Sequence, residues 1–227
     1  MQVFKIVAFI MIFCFIVFFP LKHYLRKRFI SWEQDRKLTW KDFKGSQPEG
    51  FHHNAGTACF YKYSEKLVKD SIEIEMDNCF SIYSSFVLRG HDNSYILNHE
   101  QRHFDINEIY VRRIRECISN WKGKTKTDYN SYLVNGINKI FSDSLQYLYD
   151  KEIYGTHWDS TNQDHWNKVI DSTLKIYSRF KLNKFRLHWP SPVSDFKNNS
   201  FDYYRAFHSL KTNEQERPKY SIKAYLN

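Results

Sequence analysis

Glycine and proline are scarce in this chain, at 7 and 5 of 227 residues, which excludes collagen-like and low-complexity architectures. No segment repeats at the periods of a solenoid. Cysteine is limited to four residues, and no two of them form a CxxC pair, so a structural zinc knuckle is not expected. Cys14 lies in an apolar run, and Cys117 falls within a helical pattern. Cys59 and Cys79 lie in strand-like stretches, where either a disulfide or two buried free thiols would fit. The basic residues form no concentrated stripe despite a formal charge of +9. With no recognisable binding motif either, nucleic acid is not an expected partner.

What is present is a large aromatic complement. Hydrophobic residues make up 42% of the chain and aromatic residues 18%, enough for one domain whose core is built on large flat side chains. The one long apolar run is "IVAFIMIFCFIVFF", residues 6–19. It is shorter than the roughly 20 residues of an ideal spanning helix, though Leu21 and Tyr24 extend it. A secretory signal has a core of similar length, but no small-x-small cleavage site follows. The run therefore reads as an uncleaved single-pass anchor over residues 1–24. Lys22, Arg26, Lys27 and Arg28 flank it and begin a basic linker, 25–36. Positive-inside logic puts that flank, and the domain after it, in the cytoplasm.

Residues 37–182 read as the main domain and 183–227 as an irregular C-terminal extension. "KLTWKDFKG" (37–45) is an aromatic-bearing extended segment. "TACFYKY" (57–63) and "SIEIEM" (71–76) have the composition and alternation of half-buried strands, with Lys66–Asp70 as a hairpin turn. "FSIYSSFVL" (80–88) is a third strand candidate. From Tyr95 to Trp121 the periodicity is helical, capped by Asn93 or Ser94. Two apolar stripes run along this helix, so it packs between layers, with Arg102, Asp105, Arg112 and Glu116 on a solvent face. A second helix is expected at 130–151 with Leu145 and Leu148 on its buried side. A loop at 155–164 and a third helix from His165 follow.

His99-Glu100-Gln101-Arg102-His103 lies on the first of these helices. Residues at i and i+4 share a helical face, so two imidazoles can reach one Zn²⁺. The intervening Glu100 can serve as general base toward a water acidified by the metal. With 10 histidines in the chain, an accidental HExxH arises in about 2% of such sequences. His99 and His103 also fall on an otherwise apolar side, where neutral imidazoles need partners. A catalytic zinc usually takes three protein ligands, and the HExxHxxGxxH extension is absent because Ile106 and Ile109 occupy its positions. The third ligand is expected near the end of the second helix: His157 first, as the better borderline-soft donor, with Glu152 and Asp159 as alternatives. Asn107 and Tyr110, one turn beyond His103, are candidates for supporting donors, with packing the plainer role for Tyr110. His52, His53, His91 and His165 read as surface or capping residues.

"LTWKDFKG", the strands, "HEQRHFDINEIYVRRIR" and "YDKEIYGTH…HWN" together resemble the bacterial domain-of-unknown-function 922 family across about residues 37–180. Its members are regarded as secreted or envelope zinc-dependent proteases. This chain departs from the family pattern in reading "EIYGTH" where an ETxHG-like stretch is usual. The resemblance implies a zincin-like α+β fold: a small antiparallel sheet, an active-site helix and two further helices, preceded here by the membrane helix. It implies a metallopeptidase acting on a peptide or protein substrate, with the domain in the cell envelope, opposite to the charge bias. "SIYSSFVL" would be the edge that aligns substrate backbone. The rival reading is a catalytically inactive zinc-binding scaffold of the envelope, in which an intact Glu100 has no purpose. Oligomeric state is not legible.

Overall fold

The computed structural model describes residues 28–69, 71–123, 125–141, 145–154, 160–188 and 200–207. The apolar run at 6–19 lies outside them, and among the described residues no helix is long and apolar enough to cross a membrane. The fold is mixed α+β, built on one fully antiparallel sheet.

Two long strands form its centre, β2 (Ala55–Val68) and β3 (Ser71–Ser81). They pair from Cys59↔Phe80 to Val68↔Ser71. Lys69 at the turn takes φ +57°, the left-handed conformation that a two-residue hairpin turn requires. Each central strand shares its outer side between two shorter strands. β3 pairs β1 (Phe29–Ser31) and β5 (Lys184–His188), and β2 pairs β4 (Phe86–Val87) and β6 (Ser200–Phe207). Ile72, Ile74, Met76, Asn78 and Phe80 alternate onto the buried face, as a period of two demands.

Across that face lies α1 (Ser94–Ser119), started by Asn93, whose side chain accepts from the Ile96 N–H at 2.9 Å. Behind it come α2 (Lys126–Phe141), α3 (Leu145–Tyr154) and α4 (Ser160–Ile176), the last running into a short 3₁₀ turn, Tyr177–Phe180. The second expected helix is thus two, three helices rather than two accompany α1, and residues 160–164 of the expected loop belong to α4.

Several other expectations are corrected. The segment 37–45 is not extended throughout, because Asp42 Oδ2 accepts from the Thr39 N–H at 2.8 Å and winds Trp40–Asp42 into a 3₁₀ turn. Its end is clamped to the 82–85 turn through Gly45 N–H to Ser85 O at 2.7 Å, and a side chain at Gly45 would strike Tyr83 O and Ser85 O. "FSIYSSFVL" is not one strand: β3 ends at Ser81, a turn follows, and only Phe86–Val87 pairs, with Ala55–Gly56. The linker and the C-terminal extension both add to the sheet, through β1 and through β5 and β6. Their short runs lacked patterning of their own; the ladder edges of β2 and β3 order them. Cys59 and Cys79 are buried and form no disulfide with each other. Cys59 stands opposite Phe80 and Cys79 opposite Phe60, which sends the two thiols to opposite faces and forbids a bridge.

The expected solvent face of α1 is the largest correction. Of Arg102, Asp105, Arg112 and Glu116, Asp105 and Arg112 are buried and Arg102 and Glu116 half-buried, and the neighbouring Glu108 and Arg115 are buried as well. Glu108 Oε1 accepts from Arg112 Nε at 2.9 Å and Arg115 Nη1 at 3.0 Å. Burial pushes the Glu108 carboxyl up, against the pull of both guanidinium groups. Arg115 also donates to Met76 O at 2.6 Å and Phe180 O at 3.0 Å, and Arg112 to Leu174 O at 2.7 Å. The charged face is therefore the seam joining α1 to β3, α4 and the 3₁₀ turn. Arg115→Leu would leave Glu108 and two carbonyls short of partners, so urea unfolding should show a loss of about 3–5 kcal/mol. Reductant, by contrast, should leave the melting temperature unchanged.

Candidate metal centre

His99 and His103 are spaced four residues apart on α1, so the helix turns both imidazoles to one side, where α3 covers them. His99 is wholly buried and His103 nearly so. Their Nε2 atoms lie 3.0 Å apart, with ring centroids at 4.6 Å. The third group is Asp150 of α3: its Oδ1 is 3.0 Å from His103 Nε2 and 3.4 Å from His99 Nε2. One donor atom from each residue thus falls in a single cluster, the one potential metal group of three or more His, Cys, Asp or Glu residues among the described residues.

Burial opposes a charge on His103, yet the adjoining Asp150 carboxylate outweighs it and raises the imidazole to about 9. Burial likewise opposes ionisation of Asp150, and the His103 and His99 rings overcome it, holding the carboxyl well below the usual range. Tyr149 stacks on His99 at 4.8 Å and 19°. Its hydroxyl, hydrogen-bonded with Gln163 at 3.0 Å, is pushed far above its ordinary pKa by burial.

The donor set suits zinc. Tetrahedral coordination with bonds of about 2.0–2.1 Å separates ligand atoms by about 3.3 Å, and the observed separations are 3.0, 3.0 and 3.4 Å. Two imidazoles and one carboxylate leave a fourth position, as a catalytic site requires. Asp150 Oδ1 is buried and makes its close approaches to the rings without a hydrogen bond. Glu100, next to His99 and 3% exposed, has a buried Oε2 that likewise lacks one among the described residues.

Asp150 was not among the residues expected from sequence, whereas His99, Glu100 and His103 were. His157 and Asp159 lie outside the described residues. Glu152 is turned elsewhere: its Oε2 accepts from Trp166 Nε1 at 2.8 Å. Asn107 donates to Asn78 Oδ1 at 2.6 Å and so braces the sheet rather than the histidines. Tyr110 packs in the core, its hydroxyl accepting from the Gln146 N–H at 3.3 Å.

Asp150 is not legible in the sequence because α3 inverts the usual pattern. Gln146, Tyr149, Asp150 and Ile153 form its buried face, while Leu148 is 40% exposed. The readable signal was a Gln and an Asp four residues apart, on one face and flanking a Tyr. The remaining residues of "HEQRHFD" hold the frame. Gln101 Oε1 accepts from the Leu38 N–H at 2.8 Å, its Nε2 donates to Asp105 Oδ1 at 2.8 Å, and Trp32 Nε1 donates to the same oxygen at 2.8 Å. "LTWKDF" and "HEQRHFD" are thus two sides of one contact.

Asp150→Ala should weaken zinc binding by more than about 100-fold, beyond what loss of a supporting partner costs, as read by competition with a chelator. Glu152→Ala should leave that affinity within about threefold while lowering stability by about 1–3 kcal/mol through the unpartnered Trp166 indole.

The chain has no match among protein-family models, curated proteins or solved structures.

Proposed function

We propose that this chain is a zinc-dependent peptidase, with His99, His103 and Asp150 holding the metal and Glu100 as general base. The observation that carries the reading is the convergence of three donor atoms at ligand-like separations, with the next residue after His99 being Glu100, whose buried Oε2 has no hydrogen bond among the described residues. The resemblance to the domain-of-unknown-function 922 family supports the same chemistry. A zinc ion in this setting supplies a Lewis acid that polarises a carbonyl and acidifies water. Glu100 takes a proton from the attacking water on Oε2. It delivers that proton to the amine nitrogen as the C–N bond breaks, so no covalent enzyme intermediate forms. Asp150 lowers the net positive charge of the centre, and Tyr149 holds the His99 ring by stacking. In this proposal the apolar run at 6–19 anchors the domain to a membrane, with the domain in the envelope and a peptide or protein as substrate.

A second reading, a zinc-binding scaffold without turnover, is favoured by one observation: His99, Glu100 and His103 are each at most 3% exposed. Closed sites of this kind are commonly structural. The two readings separate on Glu100→Gln. The full-length chain is loaded with zinc and incubated with a mixture of unstructured peptides, with cleavage read by mass spectrometry. The peptidase reading expects wild-type cleavage to fall by about 10²–10⁴-fold in Glu100→Gln, with zinc content unchanged. No cleavage by the zinc-loaded wild type, or equal cleavage by both proteins, would sink it.

A further inference from the structure

Gln146 lies one helical turn before Asp150 on α3 and is 5% exposed. Its amide is fixed by two contacts to one residue. Nε2 donates to the His103 backbone oxygen at 2.9 Å, which leaves Oε1 facing His103 Nδ1 at 2.6 Å. A flipped amide would set its NH₂ against the ring and its oxygen against a carbonyl, and the second of these contacts is repulsive. Oε1 can only accept, so the hydrogen bond at Nδ1 requires a proton on that nitrogen. In the neutral ring the lone pair is then on Nε2, the atom closest to His99 Nε2 and Asp150 Oδ1. The Gln146 N–H is itself tied to the buried Tyr110 hydroxyl at 3.3 Å, which fixes the start of α3 against α1.

We propose that Gln146 is a positioning residue that locks His103 in the Nδ1–H form and thereby makes its Nε2 a metal ligand. This rests on the metal-site reading and extends it to a group that does not touch the ion. The two neutral forms of imidazole differ little in intrinsic energy, so one well-placed acceptor decides between them. α3 thus delivers both the carboxylate ligand and the acceptor that orients a histidine on the other helix. An amide accepts this hydrogen bond without adding a second negative charge beside Asp150.

The test uses the full-length chain and two variants, Gln146→Leu and Gln146→Glu. Zinc affinity is measured by competition with a chromophoric chelator. The protonated nitrogen of His103 is read from long-range ¹H–¹⁵N spectra of the imidazoles in the metal-free chain, at a pH where the ring is neutral, and circular dichroism checks the fold. Gln146→Leu should bind zinc about 10–100-fold more weakly and lose the defined Nδ1–H pattern of His103. Gln146→Glu keeps the acceptor and should match or exceed wild-type affinity. Should Gln146→Leu not fold, Gln146→Met takes its place with the same expectation. Wild-type affinity and an unchanged His103 pattern in the Leu or Met variant would overturn the role of Gln146 while leaving the metal site standing. Gln146→Glu weakened as far as Gln146→Leu would overturn it too. A wild-type chain that binds no zinc would overturn the site reading itself, and this inference with it.

Discussion

The structure depends on the burial of a polar helix. α1 carries 17 buried residues, among them two histidines, two glutamates, an aspartate and two arginines. A charge or amide removed from water must find its partner inside the protein, so each of these side chains dictates what stands opposite. Thr57 and Asn78 of the sheet donate to the carbonyls of Glu100 and Phe104. Trp32 and the Leu38 N–H meet Asp105 and Gln101. Asn167 of α4 accepts from Asn98 and Arg102, and Gln146 and Asp150 of α3 face the histidines. The sheet, the Trp32–Leu38 segment, α3 and α4 are each placed by a polar contact with α1 as well as by packing. Such partners are more directional than apolar contacts, and a one-residue slip would strand several charges at once.

The same constraint shapes the chemistry. A metal centre needs donor atoms placed to within a few tenths of an ångström, which flexible side chains on a surface do not provide. Here the two histidines share one rigid helix, Asp150 stands on a second helix docked against it, and Tyr149 stacks on His99 from that second helix. A metal ion held by His99, His103 and Asp150 would link metal binding to the docking of α3 on α1, since it would join both helices. Among the described residues, Glu100 Oε2 is buried without a hydrogen bond, as are Glu108 Oε2 and Asp150 Oδ1. Holding such an oxygen is costly in a folded protein, and the general-base role proposed for Glu100 would give that cost a reason.

How much of this was legible depended on whether a residue's role shows in its own neighbourhood. The β2–β3 hairpin and α1 announced themselves by periodicity, because each buries one clear pattern. His99, Glu100 and His103 were legible because helix geometry alone puts them together. Asp150 was not, since its face of α3 is polar and the apolar Leu148 misdirected the wheel. The charged stripe of α1 was read as solvated because charge usually is; that Glu108 would pair with both Arg112 and Arg115 beneath α4 is a tertiary fact. β1, β5 and β6 are ordered by the ladder edges they meet, so their own few residues carried little sign of it. Gln101 and Asp105 belonged to a recognisable motif, but that they pin the "LTW" segment emerged only from distances.

The central claim is a zinc centre with two imidazoles and one carboxylate. X-ray absorption at the zinc edge of the loaded, full-length chain tests it most directly. The account predicts a first shell of nitrogen and oxygen at about 2.0–2.1 Å, with outer-shell scattering that fits two imidazole rings. Three rings, or sulfur at about 2.3 Å, would contradict the assignment of Asp150.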